Sequence, residues 1–242
     1  MGLFGSLFEK KVCSICGGEI GLLGNRKLED GNMCKECAAK LSPFFSDRRR
    51  STVEQIKEQL AYREANKDAV AAFNCTRSLG GDTKVLLDED ARAFIVTSSR
   101  RWRDDNPDVM SFSQVTGCTV ETRETREEIT YEDDDGTTRS YSPPRYDIDY
   151  DIWVTINVNT PYFDEIEFKV NDDRIEQLHS AEYECCAAQA NEIRDALTSA
   201  RADARERVER ERAPKAVRTC PHCGATCAPD ENGRCAYCGG AM

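Results

Sequence analysis

Tyr146-Asp147-Ile148-Asp149-Tyr150-Asp151-Ile152-Trp153-Val154-Thr155-Ile156 places apolar or aromatic residues at its even positions and mostly acidic or polar ones at its odd positions. Successive side chains of an extended chain point to opposite faces, so this alternation marks a half-buried antiparallel strand. Downstream, Phe163 to Val170 repeats the pattern with Ile166, Phe168 and Val170 on one side. Upstream, Lys84 to Leu87, the acidic turn Asp88-Glu89-Asp90 and Arg92 to Thr97 predict a hairpin. Met110 to Val115, Thr119 to Tyr131 and Arg139 to Tyr141 are further strands. The turn Asp133-Asp134-Asp135-Gly136 between the last two carries the Asp-Gly signal of a tight hairpin.

On either side of this region the period becomes helical. Ser51 and Glu54 form a capping-box pair, and Val53, Ile56, Leu60, Val70 and Phe73 predict an amphipathic helix over about residues 52–73. Gly80-Gly81 stops the pattern. After Asp173, the residues Ile175, Leu178, Cys185, Ile193, Ala196, Leu197 and Ala200 can share one helix face. From Ala202 to Arg212 Val208 is the main apolar residue, so the helix should continue as a charged stalk and end at Pro214. The fold class expected is α+β: an antiparallel β-barrel or sandwich closed by a long C-terminal helix, with a small ribbon at each end. The boundaries are 1–45 for the first ribbon, 46–81 for the helix and linker, 82–200 for the β domain with its helix, 201–218 for the stalk and 219–242 for the last ribbon.

The ribbons are read from cysteine spacing. Eight of thirteen cysteines fall in two clusters, Cys13-x2-Cys16-x17-Cys34-x2-Cys37 and Cys220-x2-Cys223-x11-Cys235-x2-Cys238. Two residues between thiolates let both sulfurs of a knuckle reach one ion, and two knuckles complete a tetrahedron. Gly17, Gly224 and Gly239 follow a knuckle, where glycine allows a tight turn, whereas Ala38 breaks the rule. The cofactors expected are two structural Zn2+ ions. Disulfides or free thiols would leave both segments without a core of useful size, and an iron–sulfur cluster fits the context less well. Bound zinc can supply on the order of 10 kcal/mol, which would fold such a module outright. His222 and Cys227 lie close to the second cluster but are not assigned as ligands, and Cys75, Cys118, Cys185 and Cys186 are read as small buried residues.

Composition narrows the function. The 242 residues carry a formal net charge of -11, distributed unevenly. Residues 1–50 hold nine basic and six acidic side chains, a balance of +3, and residues 82–174 hold eleven basic and twenty-three acidic, a balance of -12. Each zinc with four thiolates adds a further 2 - 4 = -2. Such acidity repels phosphate backbones and anionic membranes overall. There is no phosphate-binding glycine loop, nucleophile elbow or dinucleotide fingerprint. The histidines are two, His179 and His222, and His179 is read as a surface residue of a helix. The acidic rows Asp147, Asp149, Asp151 and Asp133, Asp134, Asp135 are read as solvated faces. No enzymatic activity is expected.

No apolar run is long enough to cross a membrane and no signal-peptide core is evident, so a reducing cytoplasm is the expected location. The expected partner is another protein. Two other readings rest on local features. Lys10, Lys11, Arg26, Lys27 and Arg48-Arg49-Arg50 could let the first ribbon meet nucleic acid. Leu3, Phe4, Leu7 and Phe8 with Lys10 and Lys11 could touch a membrane surface, and Met1 to Ser6 fits a myristoylation pattern.

The opening Cys13-Ser14-Ile15-Cys16-Gly17-Gly18, with the helix that follows through about residue 73, resembles the N-terminal zinc ribbon of a group of bacterial proteins. In that group the ribbon, a domain of unknown function, is joined to a bacterial pleckstrin-homology-like (PH-like) domain. Lys84 to Val96, Met110-Ser111-Phe112-Ser113-Gln114-Val115 and the strands ending in a helix are similar to the PH-like part. Cys220-Pro221-His222-Cys223-Gly224 resembles the ribbon that ends many bacterial multidomain proteins. The resemblance implies a PH-like fold. Lipid-binding PH domains use a basic loop between their first two strands, and the acidic Asp88-Glu89-Asp90 departs from that pattern.

Overall fold

In the computed structural model, which describes residues 11–212, 217–230 and 232–242, the N-terminal module is two short hairpins and a helical turn. Leu3, Phe4, Leu7, Phe8, Lys10 and Pro214 lie outside the described residues. Strand β1 (Lys11–Val12) pairs with β2 (Glu19–Ile20), β3 (Arg26–Lys27) pairs with β4 (Asn32–Met33), and α1 (Lys35–Ala38) follows. The expectation that this module lacks a useful core is corrected. Ile20, Leu28, Met33, Leu41 and Ile56 are buried together around Cys13, Cys34 and Cys37, with Phe45, Val53 and Leu60 packed against them. Ile56, Val53 and Leu60 come from the next helix, α2 (Val53–Ala72), so the ribbon borrows its core from a neighbour.

The start of α2 is also displaced from the expected capping pair. Thr52, not Ser51, is the cap: its hydroxyl accepts from the Gln55 amide at 3.3 Å, and the Gln55 side chain accepts from the Thr52 amide at 2.9 Å. Ser51 instead donates its hydroxyl to the Asp47 carbonyl. The buried stripe of α2 is Ile56, Gln59, Arg63, Asn66 and Val70, polar in its middle three positions.

That polar stretch ties three parts of the chain together. Arg63 donates to the Asp108 carboxylate at 2.7 Å and to the backbone carbonyls of Lys40 and Asn106. Asp108 also accepts from the Ser42 hydroxyl at 2.8 Å. Asn66 donates to the Pro107 carbonyl and accepts from the Val109 amide. Phe44 and Tyr62 meet Phe163 and Tyr162 in tilted pairs, at 5.4 and 5.2 Å between ring centres, adding an aromatic contact.

Four antiparallel strands follow in chain order: β5 (Arg77–Gly80), β6 (Lys84–Asp88), β7 (Ala93–Thr97) and β8 (Met110–Ser111). The short α3 (Trp102–Asp105) lies between β7 and β8. Val85, Leu86 and Leu87 are all buried, so this sheet is covered on both faces. Leu86 and Ile95 pack with Phe73, Trp102 and Val109. Asp88 is buried and structural: it accepts from the amides of Asn74 and Ala91 at 2.7 and 2.8 Å and shapes the turn after β6.

The second sheet has the order β11-β10-β9 and is antiparallel throughout. Its strands are β9 (Val115–Glu132), β10 (Thr138–Val158) and β11 (Glu165–Lys169). The two strands expected at Arg139 and Tyr146 are one, carried past Pro143 and Pro144 by a register shift between Ser140 and Arg145. Ile152, Val154 and Ile156 are fully buried, as the alternation predicts. The two sheets share no hydrogen-bonded strand pair among the described residues, so they do not close into a barrel.

Helix α4 (Ala181–Arg212) completes the set, burying Ala190, Ile193 and Leu197 at helical spacing. It begins later than its pattern suggests: Ile175 and Leu178 precede it, and Leu178 is exposed. His179 is therefore not helical. It sits at φ 63° in the turn before α4, its ring 2.9 Å from the Glu184 carboxylate. By contacts the chain divides into two compact units, Met1–Arg201 and Ala202–Met242. The second holds β12 (Arg218–Thr219) paired with β13 (Thr226–Cys227). No helix among the described residues is long and apolar enough to cross a membrane.

Candidate metal centres

Each cysteine knuckle is built by backbone hydrogen bonds before any metal is considered. After β1, the Cys13 amide donates to the Gly18 carbonyl and the Gly17 amide donates back to the Cys13 carbonyl, both at 2.8 Å. Closing so small a loop requires φ of 73° at Gly17, a conformation that a side chain resists. The same two bonds recur at Cys220, with Ala225 and Gly224, and at Cys235, with Gly240 and Gly239. In each of these last two knuckles an amide also points at sulfur: His222 to Cys220 and Tyr237 to Cys235, each at 3.4 Å.

The remaining knuckle, Cys34-Lys35-Glu36-Cys37, explains why Ala38 needs no glycine. Cys34 caps α1, and the Ala38 amide closes a right-handed turn on the Cys34 carbonyl at 3.0 Å. Cys34 Sγ accepts from the Cys37 amide at 3.4 Å, and Cys13 Sγ accepts from the Cys34 amide at 3.2 Å. The two knuckles of this site are stitched by the Ser14 amide, which donates to the Asn32 carbonyl, and by the Ser14 hydroxyl, which accepts from the Asn32 amide. Their approach leaves no space at Gly31, where a Cβ would sit 2.6 Å from Val53 Cγ2 and 2.7 Å from Ser14 Oγ.

These turns gather Cys13, Cys16, Cys34 and Cys37 at one point, and Cys220, Cys223, Cys235 and Cys238 at another, with the sulfurs of each set within 4.8 Å of one another. Cys16 and Cys34 are 3.8 Å apart, Cys220 and Cys238 3.6 Å, and Cys223 and Cys235 3.7 Å. Sulfurs held about 2.3 Å from a central zinc lie about 3.8 Å from each other along a tetrahedron edge. The separations fit that edge and far exceed the roughly 2.05 Å of a disulfide. Both clusters are thus suited to hold one metal ion each.

Electrostatics favour the thiolate at Cys13 and at Cys235 and oppose it at Cys34, Cys37 and Cys223. Burial works against ionisation of Cys13, yet the amides of Cys16, Cys34 and Ile15 outweigh it and hold the thiol at about 6. Burial and the neighbouring thiols push Cys37 far up. In the second cluster the backbone of Cys238 and Tyr237 holds Cys235 at about 6. The Ala225 amide favours ionisation of Cys223, but Cys238 and the other neighbouring thiols prevail and push it up to about 12. Four thiolates at such spacing repel one another, and a divalent cation is the natural counter-charge.

His222 stays outside the second cluster, its ring lying against Gly240. Cys227 comes closer than its unpaired position in the sequence suggests, with Sγ 3.6 Å from Cys235 Sγ and 3.7 Å from the Met242 sulfur. The reading of the remaining cysteines as buried is corrected: Cys75 and Cys185 are exposed, and Cys118 and Cys186 are half-buried. Cys75 lies in the connection between α2 and β5, Cys118 on β9, and Cys185 and Cys186 on α4, and their exposure there is set by the fold, which cysteine counting cannot detect.

Geometry defines the class, a pair of four-cysteine knuckle sites on small two-stranded supports. Residues 11–59 match the family described as Domain of unknown function (DUF4428). The match ends inside α2, in agreement with a ribbon whose core includes Val53 and Ile56. No curated protein and no solved structure matches the chain.

Proposed function

We propose that this chain is a non-enzymatic, cytoplasmic adaptor. It holds two structural zinc ions, and its PH-like β domain and ribbons dock a protein partner. The observation that carries the reading is the sulfur geometry: four protein donors per site at tetrahedral spacing, which leaves no ligand position for a substrate. Two antiparallel sheets followed by a long helix support the PH-like plan of the bacterial proteins it resembles. Leu22 and Leu23, at 94% and 91% exposure on the tip after β2, support a docking role for the first ribbon.

Elemental analysis of purified protein tests the metal. Two zinc per chain are expected, falling to near one after Cys13→Ser or after Cys220→Ser. Iron with visible absorbance, or oxidised Cys-x-x-Cys pairs, would refute the assignment. Affinity capture from native cells tests the docking role. A partner lost on Leu22→Ser/Leu23→Ser supports it, and capture indifferent to that change counts against the ribbon as the docking surface.

A second reading is nucleic-acid contact. Burial makes the Arg48 guanidinium harder to keep charged, and the nearby Arg49 and Arg26 add to that, so these three form a local positive focus. Filter binding that weakens steeply with salt would favour this reading over protein docking.

A further inference from the structure

Strand β9 is the edge of its sheet, with β10 as its one strand neighbour among the described residues. Strand β11 covers β10 from Trp153 to Asn157 only, while β9 and β10 stay paired from there out to Thr138 and Glu132. From Thr122 to Glu132 this two-stranded arm extends roughly 33 Å at the usual rise per residue. A lone hairpin is marginal in water, so an arm of this length gains from a further strand. The β10 side is braced at its base, where the Tyr150 amide donates to the Ile175 carbonyl and Arg174 pairs with Asp147. Among the described residues, no backbone group of β9 from Cys118 to Glu132 bonds to anything but β10. Edges of this kind pair with other strands.

The residues along this edge specify which strand. Arg123-Glu124-Thr125-Arg126-Glu127 is self-complementary when laid antiparallel on itself about Thr125. Arg123 then faces Glu127, Glu124 faces Arg126, and Thr125 faces its own copy. A twofold between antiparallel strands must pass through a directly opposed pair, so the alternatives are whole-residue shifts of the centre. Centring on Glu124 opposes Glu124 to itself and Glu121 to Glu127. Centring on Arg126 opposes Arg126 to itself and Glu124 to Glu128. Beyond the Thr125 centre, Thr122 meets Glu128, Glu121 meets Ile129 and Val120 meets Thr130, and no like charges are opposed. In the single chain Arg126 pairs with Glu124 and Arg123 with Glu121 and Glu167. On the face shared by Glu124 and Arg126, a second copy would complete a ring of four alternating charges.

We propose that two copies of this chain join antiparallel along β9, with the twofold at Thr125, to make a six-stranded sheet of order β11-β10-β9-β9-β10-β11. Four Arg–Glu pairs cross the seam, each set opposite its partner on a common face. The interface is independent of the zinc sites and of the adaptor reading.

Sedimentation velocity of the metal-loaded full chain tests the proposal. Twice the chain mass of 27.2 kDa is expected for the wild type. An acidic variant, Arg123→Glu/Arg126→Glu, and a basic variant, Glu124→Arg/Glu127→Arg, should each run as monomers. Mixed, they should restore a one-to-one dimer, because every seam pair becomes Glu against Arg. A monomeric wild type overturns the proposal, as do variants that dimerise alone. Where a variant fails to fold, hydrogen exchange on the wild type decides: amides of 118–132 gain protection with concentration if the seam exists, and a concentration-independent pattern rejects it.

Discussion

Arg63 and Asp108 show how much one residue pair can hold. Their side chains are 6% and 0% exposed and 2.7 Å apart; Arg63 donates further to the Lys40 and Asn106 carbonyls, and Asp108 accepts from the Ser42 hydroxyl. Removing one partner from a buried pair strands the other charge, which costs about 3–5 kcal/mol. Asp108→Ala should therefore lower unfolding free energy by that amount in urea denaturation. Replacing both, as Arg63→Met/Asp108→Ala, should cost less than Asp108→Ala alone, because no uncompensated charge remains. Neither residue was legible in the sequence. A pattern reading assigns an arginine in a helix to solvent, and only a partner from residues distant in the chain can bring it inside. The gathering of eight cysteines into two groups suited to a metal, in contrast, was legible from their spacing, because a Cys-x2-Cys turn is a local feature that the chain forms by itself.

At the scale of the element, the start of α2 separates chemistry from pattern. Both Ser51-x-x-Glu54 and Thr52-x-x-Gln55 satisfy the capping-box rule, and sequence alone offers no choice between them. The ribbon makes the choice: Asp30 accepts from the Val53 amide at 2.7 Å and the Glu29 amide donates to the Ser51 carbonyl, which fixes the first turn one residue later. Thr52→Ala should destabilise by about 1 kcal/mol in thermal or urea unfolding. Glu54→Ala, at an exposed site, should stay within about 0.5 kcal/mol of wild type. The long strands were legible where one face is buried, as at Ile152, Val154 and Ile156, since burial on one side is what alternation records. Strand β5 was not, because Leu79 alone among its residues is buried and Arg77 faces solvent to meet Glu192. The uninterrupted run of β10 past two prolines was also hidden, since proline ordinarily ends a paired strand and is tolerated here where the register shifts.

For the whole molecule, the two cysteine modules differ in what remains if metal is taken away. The first keeps Leu28, Met33 and Ile56 fully buried with Ile20 and Leu41, and its Ser42 and Lys40 are fastened to Asp108 and Arg63. Among the described residues of the second unit the buried ones are Ala204, Cys220 and Cys235, so apolar burial there contributes almost nothing to holding the ribbon fold. Metal binding and folding are one equilibrium in such a module. A strong chelator should therefore act unequally, and hydrogen exchange can read both sites in one sample. Amide protection at Cys220, Gly224, Cys235 and Gly239 should fall to the level of an unfolded chain. Leu28 and Met33 should lose only part of theirs, and the amides of β6 and β7 should hardly change. Equal collapse at both sites would mean that the apolar cluster beneath the first ribbon cannot stand without its ion. Retained protection at the second would mean that its knuckles are held by something other than metal.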